Sequence, residues 1–94
     1  MPLYVVIPLD KKEAVNQAVK SLPESDCFQL NGDSGWIVSY KGTSIELTKK
    51  LGLGVKNADD KLVTEGNALI LALSDYYGYG PKNMWEWIRT RMGA

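Results

Sequence analysis

Hydrophobic and polar positions run along this chain in two rhythms, and each change of rhythm marks an element. Residues 3–7, LYVVI, are apolar throughout and rich in β-branched side chains. An unbroken apolar run of that length predicts a strand covered on both faces, near the middle of a sheet. Pro8 has no N–H and is expected to end it. Over residues 10–22 the period becomes 3.6, with Val15, Ala18, Val19 and Leu22 on one helical face. Asp10 and Glu13 form a D-x-x-E start, with Asp10 as the N-cap of a capping box, and Pro23 stops the helix.

The next segments read as a hairpin. CFQL at 27–30 and WIVSY at 36–40 are strand-like, and NGDSG at 31–35 is a cluster of turn residues between them. A second helix is expected over 43–52. Thr43 and Glu46 make a capping box, Lys49 and Lys50 occupy the last turn, and Gly52 supplies the stop. Residues 53–66 are polar and loop-like. Asn67–Leu73, NALILAL, is a fourth strand without a single charge. A tyrosine- and glycine-containing loop follows, and Pro81 is placed for the first turn of a third helix. Trp85, Ile88 and Met92 then recur at i, i+3 and i+7 and give that helix an apolar face.

The order β-α-β-β-α-β-α predicts an α+β domain of the ferredoxin-like split βαβ type, carrying an extra C-terminal helix and spanning residues 1–94 as one domain. The expected strand order is 4-1-3-2, with both main helices on one face. Strand 1 is expected to run parallel to strand 3 and antiparallel to strand 4. That order puts LYVVI at the centre and NALILAL at an edge. A long apolar edge without charge invites pairing with another chain unless something covers it. Either the terminal helix shields it or a second copy pairs with it. A homodimer through this edge or the open sheet face is the favoured expectation.

Composition narrows the chemistry. Ninety-four residues, 45% apolar and 23% charged, suit one soluble globular domain. Eleven basic residues balance eleven acidic ones, so a nucleic-acid partner, which usually demands a basic excess, is not favoured. The absence of histidine removes Ser-His-Asp and Cys-His machinery, and Cys27 stands alone, so cysteine zinc clusters are out as well. Cys27 has no basic neighbour in sequence and reads as a buried structural thiol. No glycine-rich phosphate fingerprint is present. Asp59, Asp60 and Glu65 fit no EF-hand spacing and read as a solvated acidic loop. Without a signal peptide or an apolar stretch approaching about 18 residues, a cytoplasmic protein is expected, with no membrane partner. No cofactor is expected.

Taken together, the hairpin DCFQLNGDSGWIVSYKG, the D-x-x-E helix and the closing ALILALSDYYGYGPKNMWEWI resemble a group of small, uncharacterised bacterial proteins. Their chains end in a strand, a Tyr-Gly loop and a Trp-x-Trp helix. At the level of fold alone, the order is similar to that of the small dimeric proteins of CRISPR spacer acquisition, which implies a bacterial or phage setting. In that family an aspartate ends the first strand, and two copies hold a metal across the dimer axis. Asp10 is the candidate for that role here. Asp75, at the far end of the fourth strand, is expected at the opposite end of the sheet and so cannot pair with Asp10 within one chain.

The remaining candidates lie in the aromatic stretch. Tyr76, Tyr77, Tyr79, Trp87 and Arg91 are the expected interface or binding residues, since aromatics stack and arginines pair with anions. Trp85 and Trp87 are two positions apart, roughly 200° around a helix, so both are not expected to face one core. Two functional readings follow. The first is a non-catalytic interaction or regulatory module acting as a homodimer, with no catalytic residues. The second is a metal-dependent nuclease through Asp10, or a nucleic-acid binder.

Overall fold

The computed structural model describes residues 2–30, 34–74, 78 and 81–91. Among them the chain is an α+β domain with a four-stranded antiparallel sheet and three helices. The strands are β1 (Leu3–Asp10), β2 (Cys27–Gln29), β3 (Trp36–Ser39) and β4 (Asn67–Leu73). The helices are α1 (Lys12–Lys20), α2 (Ser44–Lys50) and α3 (Lys82–Arg91), with one 3-10 turn at Glu24–Asp26. The sheet runs in the order β2-β3-β1-β4. β1 pairs antiparallel with both neighbours, which corrects the expected parallel course of strands 1 and 3. Two strands that lie side by side and are hydrogen-bonded need not share the direction that alternate βαβ strands share.

β1 is the axis of the domain. Its side chains alternate between two faces. Tyr4 and Val6 join one core with Trp36 and Val38 from β3, Val15 and Val19 from α1, and Leu47 and Leu51 from the α2 segment. Leu3 and Ile37 point the other way and meet Ile88 of α3 in a second core. The sheet is therefore covered on one face by α1 and α2 and on part of the other by α3. The expected extra helix thus packs on the sheet face opposite α1 and α2.

Pro8 does not end β1. The strand continues to Asp10, with Pro8 opposite Ala68. The physical reason is that the pairing with β3 stops at Val6↔Trp36. Beyond that point β1 has a partner on one side only, so a residue without an N–H sits where no second ladder is needed. The register then slips between Pro8 and Asp10.

α1 begins without a side-chain cap. Lys11, the residue before the helix, lies in the left-handed region (φ 44). It separates Asp10 from the helix, so the capping box expected from Asp10 and Glu13 does not form. α2 has the box in full: Glu46 N–H donates to Thr43 Oγ1 (3.1 Å), and Thr43 N–H donates to Glu46 Oε1 (3.0 Å). Gly52 (φ 77) turns the chain out of α2. A Cβ there would also meet Val63 Cγ1 at 2.7 Å, so glycine is required twice over.

Residues 53–66 are more organised than a polar loop. Isolated bridges link Leu53 to Thr64 and Lys56 to Leu62, and Thr64 Oγ1 donates to Leu51 O at 2.6 Å. Asn57 accepts from Asp59 N–H (2.9 Å) and Lys61 N–H (3.2 Å) through Oδ1. Short polar side chains of this kind hold a turn by bonding backbone nearby, and composition alone does not show it.

Gly66 brings this excursion back against the start of α1. A Cβ at position 66 would lie 2.7 Å from Val15 Cγ2 and 3.2 Å from Lys11 O. Val15 is fully buried, so it has little room to yield. Gly66→Ala is expected to cost roughly 1–3 kcal/mol of stability by overpacking, measured by urea denaturation.

Candidate interaction site

The aromatic stretch divides between what the structure describes and what it does not. Tyr76, Tyr77 and Tyr79 lie outside the described residues, as do Asp75 and Met92. Trp87 and Arg91 are on α3, half-buried. The Trp87 ring packs against Phe28 of β2, with centroids 5.8 Å apart and a tilt of 48°. The Arg91 guanidinium stands 4.9 Å over the same ring, and its Nη2 donates to the Ser25 carbonyl in the 3-10 turn. A cation over an indole face is a favourable pairing. Here it also fastens the last turn of α3 to the segment that enters β2.

Trp85 and Trp87 both belong to the second core, one on each flank of Ile88, which is buried. A helix lying on a sheet contacts it through more than one ridge, so residues 200° apart both touch apolar surface at their edges. Neither tryptophan faces away from the sheet, contrary to the expectation from their spacing. Phe28 and Ser25, the partners of Trp87 and Arg91, carry no sequence signal that links them to residues about sixty positions later.

Asp10 has a definite structural role. Its Oδ1 accepts from the Asn67 backbone N–H at 2.7 Å, and its Oδ2 accepts from Asn67 Nδ2 at 3.1 Å. The carboxylate thus closes the end of the β1–β4 pair where the register slips. Among the described residues no three carboxylate or thiol side chains gather in a way that would hold a metal ion. A shallow cavity of about 460 Å³ adjoins Asp10 and is lined by Leu9, Thr48, Leu53, Gly54 and Ala68, among others. Aspartates 59 and 60 sit on the 53–66 excursion, where Asp60 forms an exposed ion pair with Lys56 (3.4 Å).

Cys27 opens β2 beside a cavity of about 490 Å³, lined also by Val19, Lys20, Leu22, Glu24 and Trp36. Its thiol points to the Val19 carbonyl at 3.8 Å. Burial, reinforced by the neighbouring Asp26 charge, pushes its pKa up to about 11. A thiol held neutral in this way is a poor nucleophile. Trp36, at the cavity's inner wall, donates from Nε1 to Asn16 Oδ1 at 2.8 Å in a buried bond that ties α1 to β3.

Leu9, Ile45, Leu62 and Val63 are exposed singly or in pairs off the sheet centre, and a further uncovered apolar stretch lies on the sheet itself. Side chains of paired residues share a face, so Val5 and Ile7 of β1 lie beside Leu71 and Leu69 of β4 on the α3 side of the sheet. α3 reaches Leu3, Ile37 and Leu73 but leaves this stripe open. Leu69 is 45% exposed and Leu71 43%. β4 is the last strand of the sheet on that side, so its outer row of backbone groups has no strand partner among the described residues.

The chain matches no protein-family model, and it matches neither a curated protein nor a solved structure. No helix among the described residues is long and apolar enough to cross a membrane.

Trp87→Ala is expected to lower the stability of the chain by roughly 2–3 kcal/mol, because a half-buried ring is lost from the second core. Arg91→Ala costs no more than about 1 kcal/mol. Urea denaturation at low protein concentration separates this from a pure contact role, in which Trp87→Ala would leave unfolding unchanged. For Cys27, a thiol-reactive disulfide reagent is expected to modify the folded protein slowly at neutral pH. Its rate should climb only as pH approaches about 11. The unfolded thiol ionises near its ordinary value of 9.0, below the folded one, so the stability that Cys27 supplies is complete below pH 9 and is lost as pH rises toward about 11.

Proposed function

We propose that this protein is a small non-catalytic interaction or regulatory module of ferredoxin-like type that works as a homodimer. The order β2-β3-β1-β4, with α1 and α2 packed on one face, supports the fold assignment. The observation that carries the function is the open side of β4: seven uncharged residues at a sheet edge, with Leu69 and Leu71 exposed beside it. Soluble proteins normally blunt such an edge with lysine, proline or a covering element. β4 has no charge and no proline, so its exposed state is best explained by a partner strand. Tyr76, Tyr77 and Tyr79 follow β4 directly in sequence and belong to the proposed contact region. Trp87 and Arg91 hold α3 at the opposite, β2 edge of the sheet, and act on the contact region only by seating this helix, which borders the stripe at Leu3 and Leu73.

The nuclease alternative through Asp10 draws less support. Asp10 spends hydrogen-bonding capacity on both oxygens in holding Asn67, and among the described residues it belongs to no group of three or more carboxylate or thiol side chains that could hold a metal ion. The balanced net charge gives phosphate no general attraction.

Light scattering is expected to show a dimer whose population grows with concentration. Incubation of DNA or RNA with magnesium or manganese is expected to show no cleavage. Cleavage that disappears in Asp10→Asn would replace the interaction reading with the nuclease one, and a strict monomer without nuclease activity would remove the homodimer.

A further inference from the structure

The sequence of β4 carries a symmetry that its place at the edge makes usable. Residues 68–72 read Ala-Leu-Ile-Leu-Ala, the same in both directions about Ile70. Two antiparallel copies related by a two-fold axis through Ile70 would meet so that each residue opposes its mirror position. Ala68 would face Ala72 of the other copy, Leu69 would face Leu71, and Ile70 would face itself. An isologous contact needs one patch that complements itself, and a palindromic strand is such a patch. An unrelated partner strand would gain nothing from the palindrome.

The side chains agree with the backbone. Leu69 and Leu71 lie on the open face with Ile7 and Val5 as their neighbours in β1. Joining two copies would create rows of four apolar side chains across the axis. One row would be Ile7, Leu69 and, from the second copy, Leu71 and Val5; the other would be its mirror image. On the helix side the alanines at 68 and 72 keep the junction small. Only the half-buried Ile70 meets its counterpart there. Asn67–Leu73 bears no charge, so the two strands would not repel each other.

We infer that β4 pairs with β4 of a second copy, antiparallel about Ile70, to make one continuous eight-stranded sheet. This rests on the homodimer reading and specifies its geometry. An edge of seven residues is a small interface, of the kind that gives concentration-dependent rather than obligate dimers.

The register is tested with two cysteine variants, Leu69→Cys and Leu71→Cys, each made in a Cys27→Ala background. Directly opposed Cβ atoms in antiparallel strands lie about 4.5–5.5 Å apart, close to what a disulfide needs, whereas diagonal ones lie about 7–8 Å apart. Mild oxidation of a mixture of the two variants is therefore expected to give a crosslinked heterodimer, while either variant alone stays uncrosslinked. In a separate arm, Leu71→Lys places a charge in the apolar row and is expected to weaken dimerisation at least about tenfold by sedimentation. Its circular dichroism should stay that of the parent. A parent chain that is monomeric up to roughly 0.5 mM overturns both the pairing and the homodimer reading. A dimeric parent whose mixed cysteine variants crosslink no better than the single ones overturns the pairing and leaves the dimer standing.

Discussion

Everything in this domain hangs from β1, the strand that is hydrogen-bonded on both sides. Leu3 to Val6 pair at once with β3 and with β4, and their side chains feed two separate cores. Tyr4 shows the density of constraint at one position. Its ring is buried with the helix-side core, its backbone lies between Val38 and Ala72, and its hydroxyl donates to the Gly42 carbonyl just before α2. A change in β1 is thus felt by both layers. The alternation along one strand is what couples α1 and α2 on one face to α3 on the other.

The far end of β1 is looser, and the chain manages it with polar chemistry. Past Val6 there is no β3 partner, a proline is tolerated, and the ladder slips a register. Asp10 closes this end by gripping both the backbone and the side chain of Asn67. Hydrogen bonds to an ionised acceptor are the stronger kind, so one carboxylate suffices where the ladder thins. The left-handed Lys11 then swings the chain into α1, and Gly66 lets the return segment pass against that corner.

How much of this was legible in the sequence depends on the range of the interaction. All four strands and three helices were visible because hydrophobic period is a local property, and the Thr43–Glu46 box was visible because both partners sit within four residues. Asp10 was misread for the same reason. A capping pattern is local and Asn67 is 57 residues away, so the local partner looked better than the real one. The pairing of Trp87 with Phe28, and of Arg91 with Ser25, was beyond reach because nothing in α3 encodes which end of the sheet it will cover. The order within 53–66 was hidden because its bonds come from Asn57 and Thr64, residues equally at home in an unstructured loop.

The conspicuous and the consequential parts of the chain are therefore different. The tryptophans and arginine of α3 draw attention by composition, yet Trp87 and Arg91 find partners inside the domain, and Ile88 between the two tryptophans is buried. NALILAL contains only one polar side chain, Asn67, and that one is held by Asp10. What is left over is apolar area on Leu69 and Leu71 and a row of backbone groups at the sheet edge. Burying apolar area is worth roughly 25 cal/mol per Å², and a buried ladder must also satisfy its backbone. A strand meets both demands at once, because it hides the leucines and completes the ladder in the same contact. The physical demand at β4 is thus more specific than hydrophobic cover in general: it asks for an extended chain with apolar side chains at alternate positions, which is a description of β4 itself.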